Sequence, residues 1–240
     1  MGTARNLTAV FLQARIDSTR LPGKALLPLA GRTVIDHVME ALREIRADIH
    51  VLLTDGDSLE SLAPHAASCG FEIFEGPKDD VLSRYAGAVS RYGARYVIRA
   101  TGDNPLVSPS LATAILAEHI GGGFDYSGYA GAPLGTGVEV VTASVLLEAA
   151  AEAAEPYERE HVTPYIYRRP EAFAVHRPAA PKQFYLPDAR VTLDTEKDYT
   201  FIREIFSDLY TDRPISIERL VRWLKSPEGR RAAGADRAAS

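Results

Sequence analysis

The chain has 240 residues, 46% of them hydrophobic and 25% charged, an ordinary globular balance long enough to bury a sizeable core as one domain. A net charge of −5 argues against a surface built for nucleic acid, while leaving room for a local anion site. The single cysteine, Cys69, excludes an internal disulfide. No apolar run approaches the roughly 20 residues of a membrane span, and MGTARNLTAVF lacks the apolar stretch of a signal peptide, so a cytoplasmic protein without membrane or nucleic-acid partners is expected.

In chain order, LTAVFLQ (7–13) reads as a buried strand, and TVIDHVMEALREI (33–45) carries apolar residues at helical spacing. IHVLLTD (49–55) is strand-like, and SLESLAPHAASCG (58–70) is a helix closed by Gly70. FEIFEG is a short strand. DDVLSRYAGAVSRYG (79–93) is a helix opened by Asp79 and Asp80 and closed by Gly93. RYVIRAT (95–101) is a strand, and SPSLATAILAEHIGGG (108–123) a helix capped by Ser108. Strand and helix alternating four times predict a mostly parallel, Rossmann-like α/β sheet with helices on both faces.

The second half is less regular. FDYSGYAGAPLGTGVEVVT is expected to pair short strands through turns, and TASVLLEAAAEAAE to form a helix. AFAVHRP and RVTLDT read as strands, EKDYTFIREIFSDLY and ISIERLVRWLKSP as helices. One domain is expected over 1–228, with no internal repeat, and a mobile tail over 229–240.

The loop QARIDSTRLPGK (13–24) follows the first strand, on the edge where open parallel sheets bind ligands. Gly23 permits close backbone approach, and Arg15, Arg20 and Lys24 supply charge, a combination suited to a polyphosphate. It is no P-loop, since Ala25 follows Lys24. A solvated basic loop is the alternative.

QARIDSTRLPGKALLPLAGRTVIDHV resembles the signature of the cytidylyltransferases that include CMP-sialic acid and CMP-KDO synthetases. GPKDDVLSRY, RATGDNPLVSP, GTGVEVVTASVL, REHVTPYIY and RVTLDTEKDY are similar, in order, to the branch named for spore coat polysaccharide biosynthesis protein F, over about residues 8 to 203. The resemblance implies a nucleotide-diphosphosugar-transferase-like fold and transfer of CMP from CTP to a small anionic acceptor, with magnesium and release of pyrophosphate. It implies catalytic roles for Arg15, Lys24 and Asp103, and a nucleotide site of Leu12, Gln13, Ala14, Arg15, Ser18, Gly23, Lys24, Thr54, Arg84, Thr101 and Gly102. Asp103 and Asp194 are its metal ligands, although Asp103 alone reads as a turn residue before Pro105 and Asp194 as a cap for the helix near Glu196.

Asp55-Gly56-Asp57 spells a D-x-D, but after the second strand it reads as a turn with Ser58 or Asp57 as helix cap. Arg84 could also pair with Asp80. Arg99, inside a strand, is expected in a structural ion pair. The acceptor and dimerisation portion spans about 124–185, with Glu139, Arg159, Glu160, His161 and Thr163 as acceptor candidates. Arg159 or Arg168 would meet an acceptor anion, and Tyr165 and Tyr167 suit the homodimer interface that the family implies. A glycosyltransferase using a preformed nucleotide sugar and an inactive nucleotide-binding scaffold are the competing readings.

Overall fold

The structure is a computed structural model that describes residues 7–234. Its centre is a seven-stranded sheet. In chain order the strands are β1 (Thr8–Gln13), β4 (Ile49–Thr54), β5 (Glu72–Glu75), β6 (Tyr96–Thr101), β7 (Tyr126–Ser127), β8 (Glu139–Thr142) and β9 (Val175–His176). β2 (Pro28–Leu29) and β3 (Arg32–Thr33) form a separate small hairpin. The spatial order is β5-β4-β1-β6-β8-β7-β9. β5, β4, β1 and β6 run parallel, β8 is antiparallel to both its neighbours, and β7 and β9 are parallel to each other.

The helices are α1 (Val34–Arg43), α2 (Gly56–Ser68), α3 (Val81–Tyr92), α4 (Pro109–Gly122), α5 (Ala143–Glu152), α6 (Pro156–His161), α7 (Pro164–Tyr167), α8 (Glu196–Leu209), α9 (Ile217–Lys225) and α10 (Pro227–Gly234). Alternation along β1 explains why helices are needed on both faces. Ala9 and Phe11 enter a core with Leu53, Tyr85 and Leu146, whereas Val10 and Leu12 enter one with Ile35, Val38 and Leu52. A third core packs α8 and α9 against Leu21, Leu29, Val34 and Leu193, so the C-terminal helices brace the loops beyond the strand ends.

Local signals place the helix ends. Thr33 and Asp36 form a capping box on α1, as do Thr195 and Asp198 on α8. Asp80 caps α3, and Ser108 caps α4. Four expectations are corrected. RVTLDT forms no sheet strand; Arg190 makes an isolated bridge to Leu134, because Val191 and Leu193 are drawn into the third core. AFAVHRP pairs only over Val175–His176. The D-x-D turn is capped by Asp55, whose carboxylate accepts from the Ser58 amide, so α2 starts at Gly56. The tail begins as α10 rather than as mobile chain, and 235–240 lie outside the described residues.

Candidate active site

The loop after β1 is folded by its own backbone and by neighbouring turns. Ala14 N–H donates to Leu53 O, Ile16 N–H to Ser58 Oγ, and Ser18 and Gly23 N–H both to Ile16 O. Gly23 sits at φ 69°, a left-handed conformation that a side chain would strain, and from it the chain enters a short 3-10 turn at Lys24. That turn aims Lys24 back across the strand ends.

Lys24 Nζ lies 2.8 Å from Asp103 Oδ2, 3.0 Å from Asp194 Oδ1 and 2.8 Å from the Leu193 carbonyl. Asp103 follows β6 and takes a second hydrogen bond from Thr101 Oγ1 at 2.7 Å. Leu193 N–H donates to Asp103 O, joining the segment ahead of α8 to the end of β6. Asp194 also pairs with Arg20 at 3.1 Å and with Arg190. Burial works to raise the Asp194 carboxyl. The Lys24 hydrogen bond, with the charges of Lys24, Arg20 and Arg190, outweighs it and holds the group below the ordinary aspartate value. The helix-cap alternative for Asp194 fails, since Thr195 caps α8.

Above this cluster is a cavity of about 330 Å³ whose wall includes Gln13, Arg15, Thr19, Arg20, Lys24, Asp103 and Asp194. Ala14, Ser18, Thr101, Gly102, Glu160 and His161 line it too. Gly102 forms a tight part of the wall: a Cβ there would come within 2.8 Å of Ala14 Cβ and 2.9 Å of Ile35 Cδ1. A second cavity, of about 340 Å³, adjoins it and shares Arg99, Thr101 and His161. Its lining adds Asn104, Tyr126, Glu139, Tyr157, Thr163, Tyr167 and Arg177. Glu139 is a hub, accepting from Arg99 at 2.7 Å, Tyr126 at 2.7 Å and Thr163 at 2.9 Å.

The chain enters both cavities through a strained turn. Val162 has φ 74° and ψ −58°, and Thr163 N–H donates to His161 O, a γ-turn costing about 1–3 kcal/mol. Val162 is fully buried, and packing holds the turn. It separates α6 from α7 and leaves His161 on the shared wall.

Other expected site residues lie elsewhere. Leu12 and Thr54 are fully buried, and neither lines either cavity. Gly23 shapes the loop from outside the wall. Arg84 does not pair with Asp80: it is buried, and its guanidinium donates to the carbonyls of Pro77 and Lys78. Arg159 clamps helices together, donating to Asp80, Ser83 and the carbonyls of Ala150 and Ala153. Arg168 lies over the Tyr157 ring. The sequence reading missed Thr19, Asn104, Tyr126 and Arg177 as lining residues. Arg99 makes its expected ion pair yet also faces both cavities.

Two carboxylate oxygens and one carbonyl oxygen already converge on a single cation, the Lys24 ammonium, and such hard donors suit magnesium. Among the described residues no three His, Cys, Asp or Glu side chains cluster for a metal, so an ion here would complete its shell from phosphate and water.

A nucleotidyltransferase fold with a basic loop and paired carboxylates at the strand ends is the class that this geometry defines. A cytidylyltransferase family model matches residues 9–228, and the chain belongs to the cytidylyltransferase family. It is thus a CTP-dependent nucleotidyltransferase. It is 33% identical to spore coat polysaccharide biosynthesis protein SpsF of Bacillus subtilis, over 94% of this chain and 98% of that one. A solved cytidylyltransferase from Leptospira borgpetersenii superposes with a TM-score of 0.85 at 27% identity, covering 91% of this chain and 93% of that one. A CMP:2-keto-3-deoxy-manno-octonic acid synthetase complexed with CTP shares the fold, with a TM-score of 0.64 at 16% identity, covering 84% and 99%.

Proposed function

We propose that the protein is a single catalytic unit that transfers CMP from CTP to a small anionic, hydroxylated acceptor, releasing pyrophosphate. The observation that carries this reading is the convergence of Lys24, Asp103 and Asp194 at the wall of a cavity rimmed by Arg15 and Arg20. In this reading the triphosphate lies in that cavity against Arg15, Arg20 and Lys24, with Thr101 and Gly102 beside the α-phosphate. The acceptor enters the adjoining cavity, and its hydroxyl attacks the α-phosphorus in line at the shared wall. His161, facing both cavities, receives the proton of the attacking oxygen. Catalysis is mostly positioning and charge stabilisation. Asp103 and Asp194 would hold magnesium, which when bound offsets charge on the triphosphate.

Arg177 supports an anionic acceptor. It lines the second cavity, lies over the Tyr167 ring and has no ion-pair partner among the described residues, whereas Arg159 is paired with Asp80. The name of the Bacillus relative points towards a saccharide acceptor. We also propose a homodimer, with the exposed Tyr157 beside the acceptor cavity as part of its interface. Light scattering giving the 26.1 kDa monomer would count against it. Among the described residues no helix is long and apolar enough to cross a membrane, which is compatible with a cytoplasmic location.

The test is a pyrophosphate-release screen with CTP, magnesium and a panel of acidic sugars, sugar phosphates and phosphonates. Release that depends on one acceptor class supports the reading. Transfer from a preformed nucleotide sugar, with no pyrophosphate, would replace it by glycosyl transfer.

A further inference from the structure

We propose that Lys24 stands in the position of the divalent ion in the nucleotide-free enzyme, so that metal enters only when a triphosphate draws the lysine away. The inference rests on the reading above, in which Lys24 contacts the triphosphate and the two aspartates hold the metal.

The geometry is that of a filled cation position. Lys24 Nζ directs its donors to two carboxylate oxygens and a main-chain carbonyl, all within 3.0 Å. An ammonium has three donors, and these contacts use all of them. The Lys24 side chain is 15% exposed, so its placement is set by surrounding protein rather than by solvent.

Charge gives the same answer. Around Asp103 and Asp194 stand Lys24, Arg20 and Arg190, three cations against two carboxylates. A divalent ion added to this cluster meets three cations already paired with its two carboxylates, and it must share Asp103 Oδ2 and Asp194 Oδ1 with an ammonium already bonded to them. A triphosphate reverses both conditions. It brings several negative charges into the cavity and offers Lys24 and Arg20 other oxygens to bind. Once Lys24 turns towards phosphate, the two carboxylate oxygens are free for metal. Metal and nucleotide binding are then coupled, each tightening the other by the same factor.

The test reads metal binding directly, with no acceptor and no turnover. Mn²⁺ is titrated into nucleotide-free protein and its free signal followed by electron paramagnetic resonance. The account expects weak binding to the wild type and binding about tenfold tighter, or more, to Lys24→Met, whose side chain has similar length and no charge. Asp194→Asn placed on Lys24→Met should remove the gain, which assigns the ion to this position. Circular dichroism melts confirm that each variant is folded, and Lys24→Arg, which keeps the charge, should bind Mn²⁺ as weakly as the wild type. Equal Mn²⁺ affinity in wild type and Lys24→Met overturns the inference, as does a gain that survives Asp194→Asn. The underlying reading fails by a different signature: wild-type protein that does not bind CTP by calorimetry, with Mn²⁺ or without it.

Discussion

Arg99 and Glu139 face each other in register across the antiparallel β6–β8 pair, with Nη1 and Oε2 2.7 Å apart. The pair sits where the parallel part of the sheet meets its reversed strand, and both residues line the second cavity. Both side chains are largely but not fully buried, and removing one partner of such a pair leaves the other charge poorly compensated. Arg99→Met should therefore lower unfolding free energy by about 3 kcal/mol, read from the urea midpoint. The double variant with Glu139→Gln should cost less than the two single losses together. Additive losses would show that the two side chains do not act as a pair.

Arg159 ties α3 to the end of α5 and lines neither of the two cavities at the strand ends, although it borders a further cavity of about 430 Å³ with Arg15 and Glu160. Its bond to Asp80 is part of why that carboxyl stays below the ordinary aspartate value: burial works upward, and the contacts from Arg159 and Ser83 outweigh it. Arg159→Ala should destabilise the fold by about 2 kcal/mol and leave the acceptor KM little changed. An acceptor KM that rises steeply in a variant of normal stability would restore Arg159 to the acceptor site.

His119 is fully buried between Ser127 Oγ at 2.9 Å and Thr142 Oγ1 at 3.0 Å. Thr142 Oγ1 donates to Phe124 O, so it accepts from His119 Nε2–H, and Nδ1 accepts from Ser127. The ring is satisfied as neutral imidazole. Burial pushes its pKa down to about 4, against an ordinary 6.5. Between those values the unfolded chain binds a proton that the folded chain does not. Stability from this group is complete above about pH 6.5 and is lost as pH falls towards 4. The loss should be on the order of 3 kcal/mol, measured as the difference in pH dependence between wild type and His119→Asn. Identical pH profiles would remove His119 as a contributor.

The parallel half of the fold was legible because its signals are local. β1 reads as a buried run, the apolar residues of 33–45 fall at helical spacing and give α1, and Gly93 marks the end of α3 with its own φ of 67°. The loop through Lys24 was legible by charge and by its place after β1. The fates of Arg84 and Arg159 were not: Arg84 is held by main-chain carbonyls, and Arg159 by carbonyls and by Asp80 and Ser83, which are far away in sequence and are brought to it only by tertiary packing. RVTLDT misled for a related reason: its apolar residues alternate as in a strand, but α8 and α9 supply their partners instead of a neighbouring strand. Arg177 gives no pattern of its own, and only the fold brings it over the Tyr167 ring and into the lining of the second cavity.

Asp103 and Asp194 come together only through the fold, and the central claim is that they act as one unit in transfer at the α-phosphorus. The direct measurement is the single-turnover rate of pyrophosphate release from CTP, with magnesium and a productive acceptor, in Asp103→Asn, Asp194→Asn and the double variant. Each single change should slow release on the order of 10²-fold or more, and the double should be far less impaired than the product of the two losses. A folded Asp194→Asn or Asp103→Asn enzyme that releases pyrophosphate at close to the wild-type rate would contradict the account.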